Sequence, residues 1–316
     1  MKSWHSHPKI YNIGHRATNT LFEGSVVVEE KIDGSQFSFG VYDGQLVCRS
    51  KGQQLDVDAP EKLFTAAVAT AKRLAPYLRD GWMYRAEYLL TPKHNVIKYD
   101  RIPAGHLIIF DICTDKETYL PYHEKRDEAS RLGLECVPRL FEGFTFLSFG
   151  IERAVKEWVP ATSVLGGTPE GVVVKAYGRF DADGKMLCGK YVTDDFKETK
   201  NSGWQKPNPK SNDIIAVLSD ALGTEARWRK AYQRLRDEGK LTQTSSDIGL
   251  LVQEIQRDVM DECREDVVDA LMNWAVPQIN KGVVQGAAQW YKNLLLENAQ
   301  NPADKLGSGV AETSKA

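Results

Sequence analysis

Cysteine is scarce and scattered in this chain of 316 residues: Cys48, Cys113, Cys136, Cys188 and Cys263 are all there are. The count is odd and no pair has Cys-x-x-Cys spacing. That speaks against a disulfide framework or a zinc ribbon and points to a reducing, cytoplasmic setting. A run of about 18 apolar residues is also missing, and Met1-Lys2-Ser3-Trp4-His5-Ser6-His7 holds no apolar signal core, so no membrane association is expected. Nor does one sign of charge dominate. Lys and Arg number 41 against 43 Asp and Glu, so any surface for nucleic acid must be local. Internal repeats are absent. His5 and His7, near a terminus, are expected to be solvated rather than metal ligands.

What remains is ordinary globular composition, 42% hydrophobic and 27% charged, with a length that suggests roughly two domains. After a lead-in over residues 1–24, Ser25-Val26-Val27-Val28 reads as a strand because its residues are β-branched. Phe37, Phe39 and Val41 alternate with Ser38, Gly40 and Tyr42, and Asp43-Gly44 supplies a hairpin turn before a strand at Gln45–Arg49. Apolar spacing predicts a helix over Ala59–Leu78, strands at Trp82–Leu89 and His106–Ile112, and short helices at 122–132 and 151–158. Glu170–Lys175 and Lys190-Tyr191-Val192 are further strands. Asn201 to Lys210 is rich in Pro, Gly and Asn and reads as a linker. Beyond it the period is helical, with a long amphipathic stretch from Ile248 to Trp274 and a last helix over 281–296. The expected architecture is α+β: a mixed, mostly antiparallel-sheet domain over 1–200, a linker at 201–212, an all-helical domain at 213–298 and a disordered tail at 299–316.

The sheet region puts charge where a core would prefer apolar groups. Lys31 follows a strand and precedes Asp33-Gly34, so it sits on a turn where a glycine allows close approach. Glu87, Phe110-Asp111, Glu170, Lys175 and Lys190 lie on other strand segments. Singly, each reads as an outward-facing charge. Glu170 and Lys175 bracket an apolar strand, and strict alternation puts five-residue neighbours on opposite faces.

As an ordered set, Lys31-Ile32-Asp33-Gly34, Glu87, Phe110, Glu170-Gly171-Val172-Val173-Val174-Lys175 and Lys190 resembles the motifs of the covalent nucleotidyltransferase superfamily. That superfamily holds ATP-dependent RNA ligases, DNA ligases and mRNA capping enzymes. The closest likeness is to the RNA ligase 2 type, with its adenylyltransferase domain and small helical domain, an architecture also resembling phage repair ligases. The resemblance implies an ATP-dependent RNA ligase joining 3′-hydroxyl and 5′-phosphate ends. It implies that Lys31 carries AMP, Glu30 reads the adenine and Phe110 stacks on it. Glu87 would contact ribose, Glu170 would hold Mg2+ or Mn2+, Lys175 and Lys190 the α-phosphate, and Arg49 a 5′-phosphate end. Two positions depart from the pattern. Ala86 stands where glycine is common, and Val192 where a second lysine is frequent, so either the alignment slips, Lys197 supplies the charge, or fewer cations suffice.

The chemistry agrees with those residue types. Only about 0.04% of an ordinary lysine is neutral at pH 7, and attack on phosphorus needs the neutral form. Positive charge from Lys175, Lys190 and a divalent cation is expected to favour it. Carboxylates are the hard ligands that magnesium wants. RNA is the expected partner, with a basic cluster at Arg227, Arg229, Lys230, Arg234, Arg236 and Lys240 as the candidate grip, balanced by a solvated-face reading that Glu225, Asp237 and Glu238 support. A DNA ligase, an mRNA guanylyltransferase and a non-catalytic nucleotide- or RNA-binding module are the alternatives. The first two usually append a β-barrel where this chain turns helical.

Overall fold

The computed structural model describes residues 3–144, 151–181, 183–193 and 214–300. The expected linker, Lys197 and the tail beyond residue 300 lie outside them. The strands are β1 (Tyr11–Asn12), β2 (Val26–Lys31), β3 (Ser35–Tyr42), β4 (Gln45–Ser50), β5 (Gln54–Leu55), β6 (Met83–Tyr88), β7 (Leu107–Asp115), β8 (Thr118–Tyr119), β9 (Glu135–Cys136), β10 (Arg139–Gly143), β11 (Gly171–Phe180) and β12 (Met186–Val192). The helices are α1 (Thr65–Leu74), α2 (Tyr122–Arg131), α3 (Ile151–Glu157), α4 (Ile214–Leu222), α5 (Glu225–Asp237), α6 (Ile248–Val283) and α7 (Ala287–Gln300). Two compact units result. One is Met1–Lys200 with Leu222–Glu262, and the other takes the rest. α5 and the start of α6 therefore pack with the sheets, whereas a division at residues 201–212 was expected from composition.

The first unit is built on two sheets, in the orders β1-β12-β11-β2-β10 and β5-β4-β3-β6-β7-β8, with β9 also paired to β7. Among the named strands only β1–β12 and β7–β9 pair in parallel, so the mixed, mostly antiparallel sheet architecture is as expected. Asp43 and Gly44 both take positive φ, 52° and 76°, the geometry of a two-residue hairpin whose twist matches its strands. The predicted helix over Ala59–Leu78 is shorter. α1 ends at Leu74, and Pro76 then sits in a single 3-10 turn, because proline offers no N–H to continue an α-helix.

Alternation decides what each sheet face meets. Phe37, Phe39, Tyr84, Ala86, Tyr88, Ile109 and Ile112 point one way, into a core closed by α1 and α2. Val26, Val28, Val172, Val174 and Ala176 form a second core on the first sheet. The opposite faces are polar and are turned towards each other: Lys175 on β11 and Glu29 on β2 reach Asp111 and the Phe110 carbonyl on β7, or α2 beside it. His5 and His7 are not solvated as expected. The segment from Ser3 to Pro8 straps over this seam, with His7 Nε2 3.0 Å from Asp111 Oδ2.

Phe37 is completely buried and stacks on Phe39 and Phe64 with centroids 5.7 and 6.2 Å away. Phe37→Ala is expected to cost about 3–5 kcal/mol of stability, read as a lower midpoint in urea unfolding.

Candidate active site

Lys31 is the last residue of β2, and the loop after it is fastened at every position. The Asp33 carboxylate accepts the amides of Val96 and Ile97, each at 2.8 Å, and its own N–H donates to Tyr99 Oη at 2.8 Å. The Gly34 N–H donates to Glu87 Oε1 at 3.2 Å. A Cβ at Gly34 would come within 2.7 Å of both Glu87 Cγ and the Tyr88 carbonyl, so glycine is required for close approach rather than for its φ.

This loop presents Lys31 to a ring of carboxylates. Nζ donates to Glu170 Oε2 at 2.7 Å, and Glu87 and Asp33 add their fields. Burial works to lower the Lys31 pKa, but the three carboxylates outweigh it, and the ammonium is held above its ordinary value. Carboxylates, and not Lys175 as expected, are thus the charges nearest Lys31 on the protein itself. The same site raises its acids. Burial pushes Glu87 up to about 8, against the pull of Lys31 and with repulsion from Glu170 and Asp33. Burial also raises Glu170, with Lys31 and Lys190 opposing. Lys190 lies on β12 across from Val173. Lys51 follows β4. Packing of its ammonium end, then Lys230 and Lys190, act to lower its pKa, but the residue is exposed and solvent screens the effect.

Lys31, Glu87, Glu170 and Lys190 are thus brought together, and Lys175 is not. Gly171 pairs with Lys31 and Lys175 with Val27, a four-residue offset that is roughly 13 Å along the strands. Glu170 stands just before β11 rather than on it, which frees it from the alternation that would oppose Lys175. The Lys175 ammonium is enclosed by Glu29 Oε2 at 2.7 Å, Asp111 Oδ1 at 3.0 Å and the Phe110 carbonyl at 2.7 Å. Those carboxylates override burial and raise its pKa, so a phosphate could be met there only by breaking the cluster. Lys125 on α2, unremarked in the sequence, shares Glu29 and the same carbonyl.

Phe110 owes its direction to a bulge. Arg85 pairs with Asp111 and Ala86 with Ile109, leaving Phe110 as the extra residue of β7. Its ring packs against the apolar cluster that includes Ile32 and Ile108, with the Lys175 Nζ 5.6 Å from its centroid and the His7 ring 5.4 Å away, edge-on. Glu30 points off the other face of β2, where Oε2 accepts the Val164 N–H at 3.0 Å. Burial raises its carboxyl, with Ser163 and Val164 opposing, and Oε1 lacks a well-formed hydrogen bond among the described residues. Arg49 on β4 lies half-buried and donates to Ser6 Oγ at 3.3 Å.

A helical contribution was not foreseen. Gln233 Nε2 donates to the Gly34 carbonyl at 2.7 Å, and Ser35 Oγ donates to Asp237 Oδ2 at 2.5 Å. Arg236 grips the His94 carbonyl at 3.0 Å and Asn95 Oδ1 at 2.7 Å, while Asn95 Nδ2 returns to the Gly34 carbonyl at 2.7 Å. The end of α5 therefore latches the Lys31 loop. A Gln-x-x-Arg-Asp helix end carries no distinctive signal, so the sequence offered no means of finding it. The rest of the basic cluster is answered by acids. Arg227 is buried on Asp258, Lys230 meets Asp258 at 2.8 Å and Glu262 at 2.6 Å, and Arg234 meets Glu254 at 3.1 Å. Arg229 pairs with Glu225 and Lys240 with Glu238. The cluster joins α5 to an acidic stripe on α6, which favours the reading that weighed against a nucleic-acid grip.

The sequence pattern of the RNA ligase family matches residues 24–192, more than half of the chain and the whole span from β2 to the end of β12. The chain belongs to the RNA ligase family. Among solved structures, Naegleria gruberi RNA ligase with PPi aligns at 18% identity and a TM-score of 0.48, covering 62% of this chain and 58% of that one. A point mutant of that ligase with ATP and Mn aligns at 17% identity and 0.49, over 62% and 57%. This chain spans less than two thirds of the length of those structures. No curated protein sequence matches it significantly.

Two measurements probe this geometry. A Glu87 carboxyl raised to about 8 keeps its proton in the folded state at pH values where the unfolded chain has lost it. The folded state thus binds more protons between roughly pH 4.5 and 8, and this group's contribution makes stability fall as pH rises through that window. Glu87→Gln should flatten the dependence and raise the melting temperature at pH 8 by roughly 2–4 °C. Gln233→Ala should speed amide exchange in a peptide spanning residues 32–36 by about tenfold, one hydrogen bond's worth, in hydrogen-exchange mass spectrometry.

Proposed function

We propose that this chain is an ATP-dependent RNA ligase that acts through a covalent lysyl-AMP on Lys31. The observation that carries the reading is the Lys31–Glu170 contact at 2.7 Å, at the end of a strand and within a ring of acids. A surface lysine needs no such enclosure. Family membership supplies the substrate class, and the ordered motifs supply the chemistry.

In the first step the neutral Lys31 Nζ attacks the α-phosphorus of ATP, an N–P bond forms, the bond to pyrophosphate breaks, and the amine proton leaves. A 5′-phosphate oxygen then attacks the same phosphorus and releases Lys31, leaving a 5′-to-5′ pyrophosphate linkage. Finally a 3′-hydroxyl attacks the 5′-phosphorus, sealing the strand and expelling AMP. Positioning and charge neutralisation do most of the work in such transfers.

Among the described residues no three acidic, histidine or cysteine ligands converge on one point. The donor set suits Mg2+ or Mn2+ all the same, because such ions take one or two carboxylates and complete their shell with water and phosphate oxygens. Glu170 would hold the ion, with Glu87 nearby, and when bound it would supply positive charge where Lys31 now meets only carboxylates. Relief of that field is what the Lys31 proton requires. Lys190 and Lys51 would face the phosphates, Glu30 Oε1 is a buried acceptor open to an exocyclic amine, and Arg49 would meet the strand end. Lys175 serves this reading better as a clamp behind Phe110 than as a phosphate ligand. For the domains we infer a nucleotidyltransferase body over residues 1–200 that is completed by α5.

The test is incubation with magnesium and ATP labelled at the α-phosphate, followed by a denaturing gel. Label should remain on the wild type, vanish in Lys31→Ala, and fall at least a hundredfold in Glu170→Ala. Labelling by GTP and not ATP would mean guanylyl transfer. No label from either, with folded protein, would leave a binding module.

A further inference from the structure

Three polar side chains stand in a row across the second sheet: Arg49 on β4 pairs with Ser38 on β3, which pairs with Arg85 on β6. Their neighbours Cys48, Phe37, Phe39, Tyr84 and Ala86 all face the apolar core, so by alternation these three share the opposite, seam-facing side. Directly opposed side chains on adjacent strands start about 5 Å apart, so the two guanidinium groups straddle Ser38 within reach of one small ligand.

Arg85 is the anomaly. It is 0% exposed, and its Nε and Nη1 have no hydrogen-bond partner; Ser38, also 0% exposed, has an unpartnered Oγ. Arg85 Nη2 donates to the His5 carbonyl at 2.9 Å. The charges are not paired evenly either. Lys125 and Lys175 engage Glu29 and Asp111, and His7 also meets Asp111. Glu117, the next carboxylate along, meets Lys185 at 2.9 Å and His5 at 3.2 Å. Arg85, although buried, has no carboxylate at ion-pair distance among the described residues. A buried guanidinium without a counter-charge is unfavourable, so an anion is its natural partner.

We propose that Arg85, Ser38 and Arg49 form a seat for a phosphate group, covered in this structure by the strap from Ser3 to Pro8. The strap touches every member of the row's surroundings: the His5 carbonyl on Arg85, Ser6 Oγ on Arg49, and His7 on Asp111 and Phe110. Two planar guanidinium forks, each engaged only in part by neutral acceptors of the strap and of β4, together with the Ser38 hydroxyl fit a tetrahedral oxyanion bearing at least one charge. The phosphate could be the 5′ end of an RNA strand or part of the ATP triphosphate. That assignment rests on the ligase reading; the seat itself does not.

Thermal unfolding of the full chain in inorganic phosphate, against chloride at equal ionic strength, tests the seat. Phosphate at about ten times its dissociation constant should raise the wild-type melting temperature by roughly 2–4 °C. Arg85→Met, which removes the buried charge and keeps the bulk, should lose that response and melt higher than wild type in chloride. Should Arg85→Met not fold, Ser38→Ala should show a smaller phosphate shift than wild type. No wild-type shift beyond chloride, or an equal shift in the variants, overturns the proposal. Repeating the melt with 5′-phosphorylated RNA, 5′-hydroxyl RNA and pyrophosphate identifies the source: protection by the first but not the second points to the strand end, and protection by pyrophosphate alone to ATP. A Lys31→Ala chain that takes no label yet keeps the phosphate shift would separate the seat from the ligase chemistry.

Discussion

The buried ion cluster between the two sheets is the constraint on which the rest depends. Lys175, Lys125, Glu29 and Asp111 are nearly or fully inaccessible to water, and each is tolerable there only because another answers it. Such a cluster gains little stability over well-packed apolar groups, but removing one member strands a charge at a cost of about 3–5 kcal/mol. Its consequence is therefore geometric. The Phe110 carbonyl accepts from both lysines, which fixes the β7 bulge and with it the Phe110 ring. His7 is drawn onto Asp111 and brings the strap with it. Asp111 stays ionised because Lys175, His7 and Lys125 outweigh its burial.

Lys31 sits at the other end of the same polar face under the opposite condition. There the carboxylates exceed the cations, so the amine is kept charged and the acids around it are raised. A site in that state is short of positive charge, and in the proposed reaction a metal-bound triphosphate would supply it. Two neighbouring clusters, one with its charges matched and one with carboxylates in excess, lie on strands that pair directly.

The helical part of the chain is drawn into this arrangement through charge as well. α5 meets α6 by cations on Asp258, Glu262 and Glu254, and its far end reaches the Gly34 carbonyl and Ser35. A region that composition separates from the sheets thereby supports the loop that follows Lys31.

Local pattern determined much of this molecule. Alternation in Phe37–Tyr42 named the core face, Asp43-Gly44 fixed the hairpin, and Lys31-x-Asp-Gly with Glu87 and Glu170 named residues that the fold gathers, because these depend on neighbours in sequence or on the order of motifs. The fates of Lys175, Arg227 and His7 were beyond such reading. A lysine on a strand looks the same whether it meets a phosphate or a buried glutamate, and a basic helix face looks solvated until an acidic stripe from elsewhere covers it. Which charge faces which is settled by register, by the bulge at Phe110 and by long-range packing. Electrostatic energy depends on distance in space, and only the tertiary structure sets those distances.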